Sequence, residues 1–173
     1  MKRKLCVLIL LFILVSILAG CGLDVPRPEV KEGRFHFTAT YELNGEVKTV
    51  SDVYICKYDG IGWTLDGGNY YRDWVGHFES GMEGDVLEIC TTEDGGKIYL
   101  VFHIYPEYFM GEPDYSEDFA PVLKANLIYY EGDNGTISEL YDDEELIADY
   151  GVRIIHFEYD APIENSFHSL FSK

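Results

Sequence analysis

Phe35-His36-Phe37-Thr38-Ala39-Thr40-Tyr41-Glu42-Leu43-Asn44-Gly45 is the stretch whose reading decides the fold. Phe35, Phe37, Ala39, Tyr41 and Leu43 alternate strictly with His36, Thr38, Thr40 and Glu42. Successive side chains of a strand point to opposite faces, so this period of two predicts a strand with one buried and one solvated face. Asn44-Gly45 follows at once. Both central residues of a tight hairpin turn need positive φ, which these residue types tolerate best, so the chain is expected to fold back here.

Downstream the same grammar repeats. Val53 to Tyr58 reads as the returning strand, and Asp59-Gly60 predicts a further turn. Ile61, Trp63 and Leu65 alternate until Asp66-Gly67-Gly68 breaks the pattern. Residues 69–85 are less regular, their aromatics interrupted by Gly76, Gly81 and Gly84. Val86–Thr92 reads as a strand, Glu93 to Gly96 as a turn, and Ile98, Leu100, Phe102 and Ile104 as another alternation ending before Pro106. The acidic and aromatic stretch Glu107 to Pro121 is longer than an ordinary connection, which marks it as functional or mobile. Leu123 to Tyr130 and Thr136 to Tyr141 read as strands around an Asp133-Asn134-Gly135 turn. Asp142 with Glu145 makes a capping box, Leu146, Ile147 and Tyr150 share one face, and Gly151 is placed as a C′ glycine. This predicts one short helix, followed by a last strand from Val152 to Tyr159.

About eight short strands with one small helix predict a mainly-β chain, an antiparallel β-sandwich, with a small β-barrel or an α+β layer as alternatives. An immunoglobulin topology does not fit. Cys56 and Cys90 are only 34 residues apart, and Glu88 stands two before Cys90 where a corner tyrosine would be needed.

Upstream, Lys2, Arg3 and Lys4 precede the apolar run Leu5 to Ala19, interrupted only by Ser16. That is the charged and greasy pair of regions of a secretory signal. Fifteen helical residues rise about 22 Å, short of a hydrocarbon core of about 30 Å, so a permanent transmembrane helix is disfavoured. Leu18-Ala19-Gly20-Cys21 then resembles the lipobox of bacterial lipoproteins: an aliphatic residue, two small residues and a cysteine. The resemblance covers the first 21 residues only. It implies cleavage before Cys21, attachment of diacylglycerol to that thiol, and a domain held on the extracytoplasmic side of a bacterial envelope membrane. It divides the chain into a signal at 1–20, a lipidated Cys21 with a Pro-containing linker to 33, and one β-rich domain over 34–173. With Cys6 removed and Cys21 acylated, Cys56 and Cys90 remain as a candidate disulfide in an oxidising compartment, two buried thiols being the alternative.

Removing the signal takes away three positive charges, so a formal charge of −18 becomes −21. Such a surface is repelled by phosphate backbones and anionic headgroups, which excludes nucleic acid as a partner and leaves attachment to the lipid. No nucleophile elbow, zinc-protease helix, phosphate loop, paired-cysteine or dinucleotide motif occurs. His77-Phe78-Glu79 and His156-Phe157-Glu158 each offer an imidazole and a carboxylate on one strand face, too few ligands for zinc. Asp114, Glu117 and Asp118 are weak calcium candidates, and no other cofactor is implied. Trp63, Tyr70, Trp74, Tyr108 and Tyr115 could present ring planes to a sugar beside these acids, although most such rings fill cores. The expected function is a non-enzymatic, envelope-anchored binding module for a protein or a glycan. The alternative is a small glycan hydrolase using paired carboxylates.

Overall fold

The computed structural model describes residues 25–64, 69–93, 95–131, 135–139 and 143–169. The lipobox with Cys21, the 65–68 break, the tip of the 133–135 turn and Asp142 of the capping box lie outside them. Among the described residues the strands are β1 (Arg27–Pro28), β2 (Glu32–Leu43), β3 (Glu46–Trp63), β4 (Tyr70–Phe78), β5 (Val86–Thr91), β6 (Lys97–His103), β7 (Val122–Glu131), β8 (Gly135–Glu139), β9 (Val152–Tyr159) and β10 (Phe167–His168). Helix α1 (Pro106–Phe109) lies between β6 and β7, and α2 (Asp143–Tyr150) between β8 and β9.

The chain is mainly β. Two four-stranded antiparallel sheets, β4-β3-β2-β9 and β5-β6-β7-β8, curl into a half-barrel around one core. The opening hairpin is as expected: β2 and β3 pair from Leu43–Glu46 to Glu32–Lys57 without a slip, and Asn44 and Gly45 take φ of 53° and 83°. Phe35, Phe37, Ala39, Tyr41 and Leu43 are all buried. They meet Ile98, Leu100 and Phe102 of β6 and Leu123, Ala125 and Leu127 of β7 in one apolar cluster.

Asp59-Gly60 is not a turn. β3 runs through it, and the β3–β4 register shifts between Tyr58 and Gly60, with Gly60 at a φ of 114°. An extra residue in one strand is a bulge, and a bulge needs the same permissive glycine that a turn does. The inserted residue changes the parity of β3. Tyr54, Cys56 and Tyr58 face inward before it, while Ile61 and Trp63 continue the inward row after it, opposite Arg72 and Tyr70. The separate strand expected at 61–65 is therefore the far end of a long one.

The helix predicted before Gly151 is α2, with Leu146 buried, Gly151 at a φ of 61° and its N–H donating to the Ile147 carbonyl at 3.1 Å. Over Val25–Gly33, where a linker was expected, the chain is part of the fold. Arg27 and Pro28 pair with His168 and Phe167, and the Asn165 side chain bonds both the N–H and the carbonyl of Val30. Proline at 26 and 28 signalled extended chain, and extended chain can also be strand.

Gly76 supplies one test of the packing. It sits opposite Cys56, and a Cβ built there would overlap the ring and hydroxyl of Tyr54, itself buried. Gly76→Ala is expected to destabilise by about 1–3 kcal/mol, because the ring has no free volume to move into. Urea denaturation checks it; an unchanged midpoint would show that the ring yields.

Candidate functional site

The inward row of β4 leaves the core as it runs back towards the hairpin tip: Phe78 and Trp74 are buried, Arg72 is half-buried and Tyr70 is exposed. An arginine in an apolar row must bring its own counter-ion, since an unpaired buried charge is costly. Glu112 supplies it from the loop after α1, a loop anchored by the fully buried Phe109 and Met110. Arg72 Nε donates to Oε1 at 2.5 Å and Nη2 to Oε2 at 2.6 Å, a fork-to-fork pair. Trp74 Nε1 donates to Oε1 at 2.8 Å, and Glu112 is only 7% exposed. Arg72 Nη1 also donates to the Pro26 carbonyl at 3.1 Å, and its guanidinium lies 4.2 Å from the centre of the Phe167 ring.

This clamp floors a cleft of about 450 Å³. Tyr70, Tyr71 and Tyr115 wall it, Val25 and Thr64 edge it, and Glu107 and Asp114 add carboxylates to that of Glu112. Burial raises the Glu107 carboxyl above its ordinary range, and the charges of Glu112 and Asp73 add to the rise. Burial likewise raises the Tyr115 phenol, followed by Glu107 and Glu112, which places both acids in electrostatic view of that ring. A second cleft of about 520 Å³, edged by Tyr108, Glu117 and Asn165, shares Glu112 and Tyr115 with the first.

Of the sugar-stacking candidates, Tyr70 and Tyr115 come together in the first cleft, and Trp63 stands opposite Tyr70 in the β3–β4 ladder, 52% exposed. Trp74 and Tyr108 are buried, Trp74 as a partner of Glu112. The calcium candidates Asp114, Glu117 and Asp118 are exposed, with Asp114 in the first cleft and Glu117 in the second. Among the described residues no three His, Cys, Asp or Glu side chains gather as metal ligands. His77 is exposed, Glu79 accepts from Arg34, and His156 pairs with Glu158 at 3.3 Å.

The two cysteines are free thiols and are not brought together. Cys56 sits opposite Gly33 at the start of β2, whereas Cys90 lines a third cleft with Asn44, just beyond the end of β2. Burial, with the charge of Glu107, pushes the Cys56 thiol up from 9.0 to about 12. Native protein is expected to resist alkylation at Cys56 and denatured protein to alkylate at both positions, read by peptide mass mapping. The folded thiol titrates above the unfolded one, so its contribution to stability is complete below pH 9 and is lost as pH rises towards 12. Cys56→Ala is expected to remove up to about 1.4 kcal/mol per pH unit from that slope.

Glu112, Arg72, Glu107 and Tyr71 escaped the sequence reading. The legible signal was Arg72 itself, a lone cation in step with Tyr70 and Trp74 on a strand row. Fold and site together define a mainly-β domain with an acidic, tyrosine-lined cleft at the Trp63–Tyr70 end of its β3–β4 hairpin. No family model, no curated protein and no solved structure matches the chain. Among the described residues no helix is long and apolar enough to cross a membrane.

Proposed function

We propose that the chain is a lipid-anchored protein of a bacterial envelope whose cleft binds a glycan. The observation that carries this is the gathering of Tyr70 and Tyr115 with the carboxylates of Glu107 and Asp114 in one cleft, over the Arg72–Glu112 clamp. Ring planes suit the C–H faces of a sugar, and carboxylates accept from its hydroxyls. The lipobox resemblance supports the anchor. Titration of the protein with envelope glycan fragments by calorimetry is the test. Tyr70→Ala and Tyr115→Ala are each expected to weaken binding about tenfold, the loss of one aromatic contact of 1–1.5 kcal/mol. Heat of binding that survives both substitutions would exclude the cleft, and silence with every glycan would leave a protein as its occupant.

A second reading has one observation in its favour. Glu107 holds its proton to higher pH than an ordinary glutamate, as a general acid must, and Asp114 shares its cleft. On the hydrolase reading Glu107→Gln abolishes cleavage of a reporter glycoside and leaves binding intact. On either reading Glu107→Gln is expected to raise the melting temperature at pH 7. A carboxyl whose folded pKa is raised stabilises only below its unfolded value, and that contribution is lost as pH climbs through the raised one.

A further inference from the structure

Trp63 and Tyr70 face each other at the last β3–β4 register pair, 52% and 42% exposed, and Tyr71 beside them is 44% exposed. The pairs that precede them on the same face, Ile61–Arg72 and Tyr58–Trp74, lead into the core. Trp63 and Tyr70 are thus core-type surface carried past the end of the core, and Tyr71 adds a ring over Gly62 on the opposite face of the same edge. Val25 lines the cleft that Tyr70 and Tyr71 wall. Cys21 is four residues earlier, a reach of at most about 14 Å in extended chain.

We propose that the Trp63–Tyr70–Tyr71 edge rests in the headgroup layer of the membrane that holds the lipid on Cys21. The inference rests on the lipoprotein reading above. The tether is too short to carry this edge away from the bilayer, and tryptophan and tyrosine are the side chains that settle at an apolar–polar boundary. Charge points to the same kind of occupant. The mature chain carries −21, and Arg72, the next residue along that face of β4, is held by Glu112. Attraction to anionic headgroups is therefore not what seats the edge, and a zwitterionic lipid surface suffices. Seated in this way, the cleft opens onto the membrane surface, within reach of glycans attached to lipid.

The test uses the full chain extracted from membranes and reconstituted into phosphatidylcholine vesicles, with or without bromine on the acyl chains. Trp63 emission is the difference between wild type and Trp63→Phe; the buried Trp74 is the internal control. Brominated lipid is expected to quench about half or more of the Trp63 emission, as for an interfacial ring, at low and at high salt, and to leave Trp74 unchanged. Intact mass measured on the same sample separates the two ways of failing. Lipid mass on Cys21 with an unquenched Trp63 overturns the membrane contact and leaves the anchor standing. A chain without lipid mass overturns the anchor and the contact together.

Discussion

Glu112→Ala is expected to lower the melting temperature by about 10 °C, the consequence of losing about 3–5 kcal/mol in a domain of this size. Three donors converge on this carboxylate: Arg72 Nε, Arg72 Nη2 and Trp74 Nε1. Removing it leaves a guanidinium with 14% of its side-chain surface exposed and an indole N–H in the core, so the loss is that of two stranded groups, not of one contact. Exchanging both charges for apolar residues, Arg72→Met with Glu112→Leu, is expected to recover most of the loss, since the pair is opposed by its own desolvation. Thermal and urea unfolding of the two single variants and the double variant measure the coupling directly. A single-variant loss below about 1 kcal/mol would mean that water reaches the pair.

The second large effect is in the core. Phe37 lies within 6.0 Å, centre to centre, of the rings of Tyr54, Phe78, Phe109, Phe157 and Tyr159, which come from β3, β4, α1 and β9. Phe37→Ala is expected to destabilise by about 3–5 kcal/mol, because five rings cannot all close on the vacated space. Phe37→Leu keeps most of the volume and is expected to lose less than half as much. Val47→Ala, at a site 60% exposed, serves as the control and is expected to stay within about 0.5 kcal/mol. Urea midpoints compare the three.

The parts legible in the sequence are those set by local rules. The alternation from Phe35 to Leu43, the Asn44-Gly45 turn and the glycine closing α2 each depend on neighbours in the chain, and each is found where expected. Trp63 shows where local rules stop. Its parity placed it with Ile61 in the core, and the parity is right, but at the last β3–β4 pair the described residues leave Trp63 52% exposed. Burial depends on what lies across the layer, which alternation does not encode. The same holds for Asp59-Gly60, where turn and bulge make one demand on φ and only a partner strand tells them apart. The site was half visible. Tyr70 and Tyr115 were named for their chemistry, whereas Glu112 looked like one acid among many until Arg72, 40 residues away, was set beside it.

The clasp between β1 and β10 also has a mechanical meaning. A pull on the N-terminal end of the domain is borne first by two register pairs, Arg27–His168 and Pro28–Phe167, with the Arg72–Pro26 bond beside them. Behind them stand the Glu29–Ser166, Val30–Asn165 and Lys31–Tyr58 hydrogen bonds, and then the β2–β3 ladder of twelve pairs. The short ladder parts under less force than the long one, and the residues it releases, from Val25 to Lys31, pay out about 25 Å of chain. Under load the N-terminal segment therefore lengthens before the sheets open, and the domain keeps its fold while its leading end moves away from it.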